Sequence, residues 1–262
     1  MITVGFLGAG NMGSALARAA ARGEVRILIA DKDTGKAQAV AEKIGGTAMD
    51  ITEVAKEADI LFLGMKPKGV GMAIEQIRDH LRDGTLIVSM AAAVDIKTVE
   101  GHLCRPMPII RIMPNTPVAI GEGLILFSPN ARGEEYCEEF LKVMRAAGDF
   151  ERIDEPLMDA AACISGCGPA FSFMFMDALA KGGEACGLSR DMALLFAEKM
   201  LKGAAAYALV SDRTPEELKQ AVCSPGGTTI EGVLALDAAK FTEAVEKAVI
   251  AAYNKTLIMK SE

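Results

Sequence analysis

Short apolar runs rich in β-forming residues punctuate the first half of the chain. Ile2-Thr3-Val4-Gly5-Phe6-Leu7, Val25 to Ala30, Ile60 to Met65, Leu86 to Met90 and Ile109 to Met113 carry few charges. Segments of helical character lie between them, including one that runs through Arg22 and one from about Thr34 to Ile44. Uncharged strands separated by helices of about 10–15 residues predict a parallel sheet covered on both faces. Gly123 to Ser128 and Asp149 to Ile153 predict later edge strands with a helix between them.

After about Glu155 the pattern changes. Ala, Met and Leu dominate, and apolar positions recur at helical spacing in Met192, Leu195, Phe196 and Met200, and again in Phe241, Val245, Ala248 and Ala252. Breaks are expected near Gly187, around Ser211-Asp212 and before Ser224-Pro225-Gly226-Gly227. The pattern predicts an α/β domain over 1–155 followed by a mainly helical domain over 156–262.

Composition narrows the function. At 51% hydrophobic and 24% charged residues, the 262-residue chain can bury a sizeable core. Its net charge of −7 argues against general nucleic-acid binding, which needs a basic face. The uncharged run Ala160 to Met176 is 17 residues and contains Ser165, Gly166, Gly168 and Pro169, so no membrane span is expected. Met1 to Val4 enters a strand pattern directly, and no signal peptide is read there. The six cysteines are scattered, as expected of reduced thiols in a cytoplasm, and a zinc site is not expected with His80 and His102 as the only histidines.

Gly8-x-Gly10-x-x-Gly13 follows the first strand and opens a helix, the context a dinucleotide-binding loop requires. Gly8 makes the tight turn, Gly10 lets backbone approach a pyrophosphate, and Gly13 lets helix and strand pack closely. Asp31, 18 residues after Gly13, stands where an acid binds the adenosine ribose of NADH and repels the 2′-phosphate of NADPH. Lys32 and Lys36 can offset that repulsion, so both cofactors stay open. Three further segments are unusual for plain scaffolding: Arg111 to Pro117 at a strand end, Ser165 to Ala170 between two helical stretches, and Ser224 to Thr229 ahead of another helix. The last has the two glycines and two threonines of an anion cradle.

With Lys66-Pro67, these three segments occur in the order found in pyrroline-5-carboxylate reductases, and the resemblance covers essentially the whole chain. It implies an N-terminal Rossmann-type parallel-sheet domain followed by an all-α dimerisation domain, and reduction of 1-pyrroline-5-carboxylate to L-proline by NADPH or NADH. Leu7, Gly8, Ala9, Gly10, Asn11, Met12 and Gly13 then match the pyrophosphate loop. Gly64, Met65, Lys66 and Pro67 match a loop lining the cofactor, Ala91 and Ala92 a segment near the nicotinamide-side ribose, and Asn115 and Thr116 the turn at the nicotinamide. Glu155 matches an acid near the substrate in some members. Ser224, Gly226, Gly227, Thr228 and Thr229 match the substrate loop, contributed in the family by the other subunit. A homodimer at minimum is implied, with a higher homo-oligomer left open.

The chain departs from the family's pattern in places. Ala162, Cys167 and Phe171 replace residues with hydroxyls, Ala93 stands where glycine is usual, and Ile51 replaces a common Asn near the adenosine. The chemistry tolerates a site without histidine, because a protonated cyclic imine is already electrophilic and positioning supplies most of the acceleration. Thr228 is the residue expected at the imine nitrogen. Two other classes share this scaffold: a β-hydroxyacid dehydrogenase or related imine reductase, and a non-catalytic dinucleotide sensor. The first expects a lysine one turn after Gly168, where Pro169 to Met174 has none. The second has no need of a substrate cradle.

Overall fold

The computed structural model describes residues 1–261. Eight strands form one sheet, in the order β3-β2-β1-β4-β5-β6-β7-β8. In chain order the first half runs β1 (Ile2–Leu7), α1 (Asn11–Ala20), β2 (Val25–Ala30), α2 (Thr34–Ile44), β3 (Thr47–Ala48), α3 (Ile51–Glu57), β4 (Ile60–Leu63), α4 (Val70–Ile77) and β5 (Leu86–Ser89). Then come α5 (Ile96–His102), β6 (Ile109–Met113), β7 (Gly123–Pro129), α6 (Cys137–Met144) and β8 (Gly148–Arg152). The remainder is helical: α7 (Glu155–Ser165), α8 (Gly168–Ala185), α9 (Arg190–Val210), α10 (Pro215–Val222), α11 (Thr228–Ala238) and α12 (Phe241–Ser261).

Neighbouring strands are parallel except β6 and β7, which pair antiparallel. Only one 3₁₀ turn, Thr116–Ile120, joins β6 to β7. That is too short for the crossover a parallel pair needs, so the chain reverses. β7 therefore lies inside the sheet rather than at its edge, and β8 is the outer strand. The opposite edge, β3, escapes any sequence pattern because it is two residues long.

Two cores cover the sheet. Phe6 stacks on Phe62 with ring centroids 4.5 Å apart, and α1 and α6 pack over them. On the other face Leu61, Leu63, Ile87 and Ile109 lie with the buried residues of α3, α4 and α5. The strands read as near-continuous apolar runs because both faces are covered. Aspartates cap three of the helices: the carboxylates of Asp33, Asp50 and Asp95 accept from the amides of Lys36, Thr52 and Thr98.

Contacts divide the chain into two compact units, one of residues 1–167 with the chain from Ala252 on, the other Gly168–Ala251. α7 belongs to the first, packing on β7 and β6 with Met158 fully buried. In the second, α8 and α9 bury only Ala180, Ala193 and Ala197. α10 and α11 bury nothing.

Taken together, α7 and α8 make a 31-residue stretch containing an 18-residue window of mean hydropathy 1.3, which passes for a membrane span by length and composition alone. Two helices rather than one make up this stretch, with a turn at Gly166-Cys167 between them, and α7 buries Met158, Asp159 and Cys163.

Candidate active site

Because β1, β2, β4, β5 and β6 are parallel, the segments that follow them emerge at one edge of the sheet. Ligands of open α/β sheets bind at that edge, where strand order reverses, here between β1 and β4. Gly8 has φ of +116°, and a Cβ there would lie 2.7 Å from the Gly64 carbonyl oxygen. A Cβ on Gly13 would lie 2.2 Å from the Gly8 carbonyl oxygen. These two glycines let β1, β4 and α1 close on one another. Gly10 differs: a Cβ there would meet nothing within 4 Å, and the residue is exposed. It is the N-cap of α1 and supplies no side-chain cap, so the first-turn amides stay available to an anion. The glycine pattern thus fits a dinucleotide pyrophosphate.

Asp31 does more than the ribose role expected of it. Its Oδ2 accepts the Ala9 amide at 2.6 Å, and its Oδ1 accepts the Asp33 amide at 2.9 Å. The carboxylate ties the glycine loop to the end of β2. At the other strand ends Gly64, Met65 and Pro67 are half-buried and Lys66 is exposed, while Ala91 is buried and Ala92 exposed. Asn115 is buried, its Nδ2 donating to Ser165 O at 3.0 Å and its Oδ1 accepting Leu124 N at 2.9 Å. Its side chain therefore holds α7 and β7 to the end of β6, which leaves its backbone and the exposed Thr116 to form the turn.

Glu155, expected near the substrate, is half-buried. Its Oε1 accepts the Ile96 amide at 2.7 Å and lies 3.4 Å from Arg111 Nη1. Arg111, 1% exposed, also donates to Asp159 at 2.6 Å, and Lys260 pairs with Asp159 in turn. A buried charge is tolerated when paired and hydrogen-bonded, and two acids and two bases meet that need here. The Thr98 hydroxyl and amide hold the nearby Asp95 carboxyl below the usual range, against a smaller opposing effect of burial. Burial pushes the Cys163 thiol up, which keeps it protonated.

In the second unit, Ser224 to Gly227 is a turn closed by Gly227 N donating to Ser224 O at 3.0 Å. Gly226 has φ of +69°, and a Cβ on Gly227 would strike Ser224 Oγ at 2.3 Å. Gly227 is the N-cap of α11 and gives no side-chain cap. Thr228 and Thr229 are therefore not ahead of the helix, as the sequence suggested, but its first two residues. Both are exposed.

Residues 155–259 match the family described as pyrroline-5-carboxylate reductase dimerisation, and residues 3–93 that described as NADP oxidoreductase coenzyme F420-dependent. A pyrroline-5-carboxylate reductase of Escherichia coli K12 is 36% identical over 259 residues, 97% of this chain and 96% of that one. The chain belongs to the pyrroline-5-carboxylate reductase family. Among solved structures, the Streptococcus pyogenes 1-pyrroline-5-carboxylate reductase is 25% identical, covers 100% of this chain and 99% of its own, and superposes with a TM-score of 0.90. The Plasmodium falciparum pyrroline carboxylate reductase, solved with NADP bound, is 29% identical, covers 99% of this chain and 98% of its own, and has a TM-score of 0.88.

As a member of the reductase family the chain carries a dimerisation domain, and the expected Rossmann-type sheet followed by helices is what the structure has. The set Arg111, Asp159 and Lys260 was missed from the sequence. The available signal was an arginine inside the apolar run Ile109-Ile110-Arg111-Ile112-Met113, which must find a buried partner.

Proposed function

We propose that this chain reduces 1-pyrroline-5-carboxylate to L-proline, the last step of proline biosynthesis, with NADPH or NADH. The observation that carries this reading is the Ser224–Thr229 turn on a chain related over its whole length to such reductases. α11 opens at Thr228 with uncapped amides and two exposed threonine hydroxyls. Those amides suit the substrate carboxylate, since a helix N-terminus favours an anion.

The Gly8–Gly13 loop and the α1 N-terminus hold the pyrophosphate, and Asp31 takes the adenosine ribose. Gly64 to Pro67, Ala91, Ala92, Asn115 and Thr116 border the rest of the cofactor. When bound, the reduced nicotinamide supplies the hydride. Ser224, Gly226, Gly227 and Thr229 hold the substrate carboxylate, and the Thr228 hydroxyl hydrogen-bonds the imine nitrogen as its charge changes. Thr228 is not the cap of α11, so its hydroxyl is free for that bond. A protonated imine needs no strong general acid, which suits a site assembled from hydroxyls and amides.

The chain works as a homodimer at minimum, joined through the apolar faces of its helical unit, and six free cysteines suit a reducing cytoplasm. The test is turnover by the purified protein. Oxidation of NADPH or NADH is expected with 1-pyrroline-5-carboxylate and not with 2- or 3-hydroxy acids or their keto forms. Turnover of a keto acid with none of the imine would replace this reading with that of a hydroxyacid dehydrogenase.

A further inference from the structure

We propose that Glu155 is a positioning residue for the Ala91–Asp95 loop, holding it in the shape that receives the cofactor. The inference rests on the reading that Ala91 and Ala92 border the cofactor. Within the loop Ala93 has φ of +61°, the left-handed region that disfavours any residue with a Cβ. Such a conformation persists only where the surroundings over-determine it. The near side of the loop is a weak turn, Val94 N donating to Ala91 O at 3.4 Å.

The far side is held more firmly. Ile96 opens α5, and its amide is one of the donors every helix leaves without an internal partner. Water or a local cap satisfies such donors in most helices. Here a carboxylate 59 residues away accepts it at 2.7 Å. That carboxylate is itself fixed by Arg111, which is anchored on Asp159 at 2.6 Å. A run of ordered groups thus leads from the interior of β6, through the first two turns of α7, to the residue after the loop.

The test uses Glu155→Ala and Glu155→Gln, each with and without Ala93→Gly. It reads the dissociation constants of NADPH and NADH by fluorescence, and amide exchange at residues 93–96 in the cofactor-free protein. Arg111 keeps Asp159 as partner in all four, so no buried charge is stranded. Glu155→Ala should weaken cofactor binding about tenfold, the scale of one lost hydrogen bond to a charged group, and speed exchange at Ile96. Glu155→Gln keeps an acceptor oxygen for Ile96 and should stay near wild type. Ala93→Gly should recover part of the loss in Glu155→Ala, because glycine adopts the same φ without being held there.

Wild-type affinity in Glu155→Ala overturns the proposal. So does a loss in Glu155→Gln equal to that in Glu155→Ala, or no recovery with Ala93→Gly. A wild-type protein that binds neither cofactor overturns the functional reading and this inference with it.

Discussion

The two compact units use the same residue types and reach opposite results. In the first, a sheet lies between helices, and strand residues such as Val4, Leu28, Leu61 and Ile110 are 0% exposed. In the second, Met174 is 72% exposed, Leu209 87% and Val210 82%, although the helices are long and rich in apolar residues. A sheet presents two broad faces that short helices can cover. Helices that are apolar on more than one side cannot all be covered by one another within a single copy. A surplus of this size is the mark of an interface rather than of a finished domain. The unit that binds a dinucleotide is closed by its own chain, and the unit that carries Thr228 is not.

The sharpest way to break this comparison is to place charge on the open unit. Met192, Phe196 and Met200 lie at successive i, i+4 positions of α9, and each is about half exposed. Burying such side chains against a second copy contributes roughly 1.5–3 kcal/mol apiece, and a carboxylate in their place adds a desolvation cost. Phe196→Glu combined with Met200→Glu should give a monomer with essentially no turnover. Its cofactor affinity should persist, because the sheet unit needs no partner for its core. Sedimentation and turnover on the same sample decide it, and a fully active monomer would mean the open unit is complete alone.

Next in size is the α11 turn. Thr228→Ala should lower kcat, with a smaller effect on KM, by roughly 2–4 kcal/mol, or about 10²-fold or more, as for a preorganised hydrogen bond that strengthens in the transition state. Gly227 holds the cap position, so the melting temperature should hardly move. Thr229→Ala made in parallel assigns the imine contact. If Thr229→Ala alone loses kcat, the hydroxyl at the second helical position carries it and Thr228 does not.

The sequence exposed the closed unit more fully than the open one. β1, β2 and β6 were legible to the residue, because strands buried on both faces leave uninterrupted apolar runs. β3 was not, since two residues have no period. The glycine loop was legible because its spacing is local, and Gly8 and Gly13 each answer a steric demand. The bond from Glu155 to Ile96 and the Arg111–Asp159 pair were not, since they join positions 59 and 48 residues apart and no local pattern records them. The place of Thr228 inside α11 depended on which residue takes the cap, and glycine and threonine both serve there.

A smaller effect concerns Asp31 in the closed unit, whose carboxylate ties down the glycine loop and is proposed to take the ribose as well. Asp31→Asn removes the charge and keeps an oxygen for the Ala9 amide. Relief of repulsion with the 2′-phosphate should favour NADPH over NADH by about 1 kcal/mol, roughly fivefold. Asp31→Ala removes the loop tie as well and should weaken both cofactors. Steady-state KM values for the two cofactors separate these outcomes. An unchanged ratio in Asp31→Asn would leave Asp31 only its structural bond to Ala9.

The smallest effect compares one backbone residue in each unit. Among the described residues, Ala93 in the first and Lys240 in the second are the non-glycine residues with positive φ, at +61° and +55°. Holding a Cβ in that region costs roughly 1–2 kcal/mol, and glycine's greater freedom in the unfolded chain returns roughly 0.5–1 kcal/mol of any gain. Ala93→Gly and Lys240→Gly should therefore each stabilise by about 0.5–1 kcal/mol, or about 2 °C in Tm for a chain of this length. A gain confined to one variant would identify the unit that melts first. A lower Tm for Ala93→Gly would show that the left-handed turn stores no strain, and that Glu155 has nothing to hold in place.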